Sequence, residues 1–173
     1  MKWLWKIISR FAVEPFKTNT MLTDKQIIEK YGKPGDEDNL LTITLPYPMR
    51  IAWDTKTTVS KMRCHKLAAS KFKAVFNDLL QHYGLPELQR LGIDLFGGCV
   101  NVRLQRGGSK WSRHAWGIAI DLSPVKNGLK IKWKDAQFSK PGYKPMVEIF
   151  YKHGFMSYGL ERDFDAMHFE LSS

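Results

Sequence analysis

The sequence predicts an α+β domain: a small, mainly antiparallel sheet with a polar face on one side and helices packed on the other. Three observations predict it. Residues 117–122 and 167–171 each alternate core-type with polar or small side chains at the period of a strand. Phe72, Val75, Phe76, Leu79, Leu80 and Tyr83 recur at i, i+3 and i+4, the period of a helix. The chain has 173 residues, 43% hydrophobic and 13% aromatic, enough to fill one core and too few for a second folded module. Residues 21–173 are therefore read as one domain and residues 1–20 as a basic extension.

In the extension, Trp3, Leu4, Ile7, Ile8 and Phe11 recur at helical spacing among Lys2, Lys6 and Arg10, predicting a short amphipathic helix ended by Pro15. Such a helix would either pack on the domain or lie against anionic lipid. Lys6 interrupts the apolar run, so the segment does not read as a signal peptide, and no stretch reaches transmembrane length. Thr23-Asp24-Lys25-Gln26-Ile27-Ile28 opens a short helix that stops at the turn Gly32-Lys33-Pro34-Gly35. Residues 40–45 read as a strand, and 47–53 as an extended arm or edge segment limited by its prolines. The long helix is expected from about Lys61 to Tyr83, with Gly84 as its stop and His65 and His82 on or near it, outside the chemistry. Residues 125–140 are polar and turn-rich and could wall a cleft, with Trp133 and Phe138 either packing that loop down or lining the groove. A helix over 145–152 ends at His153, where positive charge is favourable. Cys64 and Cys99 form no C-x-x-C pair and read as buried free thiols.

Two segments carry the chemistry. In Ser112-Arg113-His114-Ala115-Trp116-Gly117-Ile118-Ala119-Ile120-Asp121, the side chains of Ile118, Ile120 and Leu122 share the core face, leaving Gly117, Ala119 and Asp121 on the open one. In Asp165-Ala166-Met167-His168-Phe169-Glu170, His168 and Glu170 alternate with the core set Met167, Phe169 and Leu171. Neighbouring strands could thus present His114, Asp121 and His168 to one zinc ion, and three N/O ligands leave a fourth tetrahedral position for water. Asp165, at the mouth of the second strand, is better placed as a general base, with Glu170 the next candidate.

The pattern Ser-x-His-x-x-Gly-x-Ala-x-Asp followed by Asp-x-x-His-Phe-Glu resembles the family of zinc D-alanyl-D-alanine carboxypeptidases and phage L-alanyl-D-glutamate peptidases, whose fold is shared with the Hedgehog signalling domain. The similarity runs from about Met21 to the end and includes Phe96-Gly97-Gly98-Cys99-Val100-Asn101-Val102-Arg103. The resemblance implies one zinc per chain on His114, Asp121 and His168, Asp165 as the base, and an upstream arginine that stabilises the oxyanion. Arg103 is the first choice and Arg106 the alternative; the other would meet a substrate carboxylate, and Ser112 would also touch substrate. It further implies hydrolysis of an amide in the peptidoglycan stem peptide, as in a bacteriophage endolysin that cuts between L-alanine and D-glutamate, with D-alanyl-D-alanine carboxypeptidase activity as the alternative. Phage-type relatives carry a Trp-Gly-Gly-like turn before the second motif, where this chain has Met156-Ser157-Tyr158-Gly159-Leu160-Glu161. A monomer made in the cytoplasm of a bacterial host and acting at the cell wall is expected, reaching it by an external route.

The formal charge of +10, from 27 Lys and Arg against 17 Asp and Glu, is spread through every segment. No helix-turn-helix, zinc-finger or aromatic RNA-binding motif accompanies it, so nucleic acid is not the expected partner and a polyanionic cell wall or anionic membrane is. A non-catalytic module that binds nucleic acid or cell wall is the reading of another class; salt-dependent DNA binding that survives metal removal would favour it.

Overall fold

The structure, a computed structural model, describes residues 21–172. The expected amphipathic helix of residues 1–20 and its lipid contact lie outside the described residues. Thr23 opens helix α1 (Asp24–Tyr31) through a reciprocal capping box with Gln26, and Gly32 ends it at φ 80°. Strand β1 (Leu40–Ile51) unites the two segments expected to be separate, because Ile43, Leu45, Tyr47 and Met49 keep one buried face at period two. Pro46 and Pro48 fall on the exposed face. They sit where the ladder to β2 (Asp54–His65) is interrupted between Thr44 and Met49, so their missing N–H groups cost no bond.

Residues 61–68 correct the sequence reading. Lys61 does not start a helix: Met62 and Cys64 are buried in alternation at the end of β2, and α2 (Ala69–Leu91) begins only after the turn at 66–68. His65 therefore ends a strand. Its Nδ1 accepts from Leu67 N–H at 3.1 Å, and its Nε2 lies 3.0 Å from the Tyr31 carbonyl, a bonding pattern that joins α1 to the sheet. Gly84 breaks α2 at φ 71°, ψ 157°, yet the helix resumes through Pro86 and closes at Gly92 in the left-handed conformation. The apolar stripe of α2 packs inward, with Phe72, Val75, Phe76 and Leu79 buried.

Strands β3 (Leu95–Gly98), β4 (Ala119–Leu122), β5 (Phe155–Ser157) and β6 (His168–Leu171) complete a mixed six-stranded sheet in the order β2-β1-β3-β4-β6-β5. β1 and β3 run parallel, while the other neighbouring pairs are antiparallel. Between β4 and β6 lie α3 (Pro124–Asn127), α4 (Lys144–Lys152) and α5 (Tyr158–Arg162). Helices α2 and α4 cover the core face: Phe72 packs on Phe155 with ring centroids 4.7 Å apart, Phe150 stacks on Phe169 at 4.1 Å, and Tyr47 meets Phe76 edge-on at 6.0 Å. Each such buried ring contributes roughly 1.5–3 kcal/mol.

The segment between α3 and α4 is three consecutive 3-10 turns, Trp133–Asp135, Gln137–Ser139 and Pro141–Tyr143. Buried Asn127 ties it down: its side-chain amide donates to the Ser123 carbonyl at 3.0 Å and accepts from Phe138 N–H at 2.8 Å, while its backbone carbonyl accepts from Met167 N–H at 2.8 Å. Phe138 enters the core beside Phe169, and Trp133 lies so close to Gly159 that a Cβ there would stand 2.5 Å from its ring. Both aromatics hold the segment on the domain, and Leu129 is the residue from it that reaches the cleft described next.

Candidate metal centre

The register of β4 and β6 places Asp121 directly opposite His168 and Ala119 opposite Glu170, while Ile120 faces Phe169 in the core. Polar and apolar sides of the sheet are thereby separated residue by residue. On the other flank Gly97 of β3 lies against Asp121, where an added Cβ would sit 3.0 Å from both its Cβ and its carbonyl oxygen. His114 comes from a 3-10 turn, Arg113–Trp116, that Gly117 closes at φ 67°. A side chain at Gly117 would press on the His65 amide at 2.9 Å, so the turn needs glycine for its backbone angle and for space.

These elements bring three donor atoms together. His114 Nε2 is 3.1 Å from Asp121 Oδ1 and 3.2 Å from His168 Nδ1, and His168 Nδ1 is 3.0 Å from Asp121 Oδ1. Ligands about 2.0–2.1 Å from a tetrahedral zinc stand about 3.3–3.4 Å apart, so the triangle already has nearly the size such an ion requires. The far nitrogen of each ring is engaged elsewhere: His114 Nδ1 is 2.7 Å from the Cys99 carbonyl, and His168 Nε2 is 2.9 Å from Glu170 Oε2. Those acceptors would hold a proton on the outward nitrogen of each ring and leave the inward one to a metal, as the outer partners of metal-binding histidines do. His114, Asp121 and His168 could therefore hold one metal ion. Burial alone would push the Asp121 carboxyl up, but the hydrogen bonds to His114 and His168 outweigh it and hold the group well below the ordinary carboxylate range. Burial works against a charged His168 ring, yet Asp121 and Glu170 lift it to about 10. The cluster calls for positive charge at its centre.

Asp165 lines the same cleft as this triangle. It is 9% exposed and adopts a left-handed backbone at φ 55°, and its Oδ1 is buried without a hydrogen-bond partner among the described residues. An orphaned carboxylate oxygen in a strained turn is a costly arrangement that a reacting group could satisfy. Burial is the main influence on its carboxyl and raises it; the charges of His168, His114 and Arg103 pull the other way. Its backbone carbonyl accepts from His168 N–H at 3.0 Å, which couples the turn to the strand.

The cleft has a volume of about 230 Å³, and Arg103, Arg106 and Ser112 line it together with the triad and Asp165. Arg103 is half-buried and its Nη1 donates to the Leu104 carbonyl at 3.1 Å, whereas Arg106 is exposed at the tip of the loop closed by the Leu104–Trp111 bridge. Ser112 is buried, its N–H donating to the Arg103 carbonyl at 3.1 Å. All seven residues singled out from the sequence thus border one cavity. Sequence reasoning missed Tyr158, whose ring meets His168 edge-on at 4.6 Å, along with Arg113 and the hydrogen bond between Glu170 and the His168 ring. A second groove of about 540 Å³ shares Gln105, Arg113, Tyr158 and Phe164 with the first and is lined further by Lys110 and Arg162. Cys64 and Cys99 are buried free thiols, and burial pushes Cys64 up to about 12. Among the described residues no helix is long and apolar enough to cross a membrane.

A family profile described as D-alanyl-D-alanine carboxypeptidase matches residues 106–171, the span that contains both motifs and all three donor residues. Over this segment the chain is similar to that family. No curated protein and no solved structure matches the chain.

Proposed function

We propose that this chain is a zinc metallopeptidase that hydrolyses an amide bond in the peptidoglycan stem peptide, between L-alanine and D-glutamate. The observation that carries the reading is that Asp165, whose Oδ1 is buried without a hydrogen-bond partner among the described residues, lines the same cleft as the three converging donors of His114, Asp121 and His168. Zinc bound there would polarise the scissile carbonyl and lower the pKa of the attacking water. Asp165 takes the proton from that water as the C–O bond forms, then delivers it to the departing nitrogen as the C–N bond breaks. Arg103, the arginine whose charge reaches Asp165, donates to the oxygen that gains negative charge. Arg106 and Ser112 hold the substrate, Arg106 through a carboxylate. A neighbouring groove that shares Gln105, Arg113, Tyr158 and Phe164 with the cleft would suit a peptide that extends past the cut bond on both sides. Monomeric action at the cell wall belongs to the same reading.

Carboxypeptidase action on the D-alanyl-D-alanine terminus is the second reading, favoured by the description of the matching family profile. Digestion of chemically defined muropeptides, with new termini identified by mass spectrometry, separates the two. A new D-glutamate amino terminus supports the first reading, release of free D-alanine the second. An intact substrate with metal-independent binding to DNA or wall polymer would replace both with the binding-module reading.

A further inference from the structure

The hydrogen-bond partners of His168 lead to a part of the chain that neither motif contains. Glu170 is 2% exposed, and its two carboxylate oxygens face different ways: Oε2 toward His168 Nε2 at 2.9 Å, Oε1 toward Arg113 Nε at 3.9 Å. The Tyr158 hydroxyl also reaches this carboxylate. Arg113 is itself buried, its guanidinium lying against the Trp116 ring at 5.8 Å. Arg113 Nη1 donates to Asp24 Oδ1 at 2.8 Å and Nη2 to the Leu22 carbonyl at 2.9 Å. Two of its nitrogens are thus held by the residues that start α1, and the third is turned toward Glu170. A buried carboxylate is tolerated only when charge and hydrogen bonds compensate it, and Arg113 supplies the charge.

We propose that Asp24 and Arg113 are positioning residues for the metal centre, acting through Glu170 on the orientation and donor strength of His168. The inference rests on the metal-site reading above but not on the identity of the substrate. Leu22 and Asp24 lie outside residues 106–171, so the family match does not cover this link. An outer partner of a metal-binding histidine typically changes metal affinity 10–100-fold when removed. Glu170→Gln, which keeps the shape and removes the charge, is expected to weaken zinc binding about 10–100-fold. Arg113→Met is expected to weaken it about tenfold, and Asp24→Asn, one bond further out, by a smaller but measurable factor of about three, with Asp24→Glu restoring it.

The experiment is competition for zinc between the metal-free full-length protein and a chromophoric chelator, together with the visible spectrum of the cobalt-substituted protein. Circular dichroism and melting of the metal-free forms report folding separately. Weaker zinc binding and a shifted cobalt spectrum in Asp24→Asn, at unchanged metal-free melting temperature and with rescue by Asp24→Glu, support the proposal. Arg113→Met carries a risk of misfolding, and Asp24, 39% exposed in its side chain, decides the question if that variant does not fold. A wild-type protein that binds zinc while Asp24→Asn binds as tightly and gives the same cobalt spectrum overturns the proposal alone. A wild-type protein that takes up neither metal overturns the metal-site reading and this one with it.

Discussion

Replacing Asp165 by Asn should move activity and stability in opposite directions. The side chain keeps its shape, and Asn tolerates the left-handed backbone at φ 55° as Asp does. Alanine there would instead pay about 1–2 kcal/mol for that conformation, confusing strain with chemistry. Loss of a general base costs about 10²–10⁴ in turnover, or about 3–5 kcal/mol of transition-state stabilisation. Stability follows from linkage. Burial raises the folded-state carboxyl of Asp165, so its contribution is fully present below the unfolded carboxylate value, about 3.9, and is lost as pH rises through the folded one. Once ionised, the unpartnered oxygen is therefore a burden of buried charge that the amide lacks. Asp165→Asn should melt no lower than wild type without metal, bind zinc stoichiometrically, and turn over stem peptide at least about a hundredfold more slowly. The assay pairs metal analysis and calorimetry with product formation from a defined muropeptide. Turnover within tenfold of wild type at full zinc occupancy would refute Asp165 as the base.

Other outcomes follow from the same geometry. His114→Ala, Asp121→Ala or His168→Ala should abolish stoichiometric zinc binding, and X-ray absorption of the wild type should give a nitrogen and oxygen shell at about 2.0–2.1 Å; a sulfur scatterer near 2.3 Å would contradict the ligand set. Gly97→Ala forces a Cβ within 3.0 Å of Asp121, which should lower melting through roughly 1 kcal/mol or more of overpacking and weaken zinc binding, whereas unchanged zinc affinity would show that Asp121 tolerates the push. Asp78 is depressed by its hydrogen bonds to Lys152 and His153, so its contribution is present above the unfolded carboxylate value, about 3.9, and lost as pH falls through the folded one; the melting difference between wild type and Asp78→Asn should close below about pH 4. A chain starting at Met21 should hydrolyse isolated peptidoglycan as the full chain does while losing affinity for anionic vesicles; equal vesicle binding by both would remove lipid contact from the role of residues 1–20.

The polar face of the sheet was legible in the sequence because β4 and β6 obey strict period-two alternation around Ile120 and Phe169, so the side of Asp121 and His168 was fixed before any contact was known. The stripe of α2 was legible for the same reason at helical period. Its start was not, because Thr57, Thr58, Ser60 and Lys61 of β2 are solvent-facing and carry no apolar alternation until Met62 and Cys64. β3 is four residues with two glycines, too short and too bare of side chains to register as a strand, yet its lack of a Cβ at Gly97 is what admits Asp121. Arg113 was hidden within the first motif for a different reason: its partner Asp24 is 89 residues away, and no local pattern announces so distant an ion pair.

Titration of metal-free protein with zinc, following hydrolysis of a defined stem peptide and bound zinc in the same samples, is the sharpest test of the zinc-peptidase reading. On that reading the rate rises in proportion to bound zinc and breaks at about one ion per chain, as expected for a single catalytic site on His114, Asp121 and His168. Hydrolysis that proceeds at full rate in the metal-free protein, or one bound zinc per chain with no cleavage of any stem-peptide amide, would contradict it.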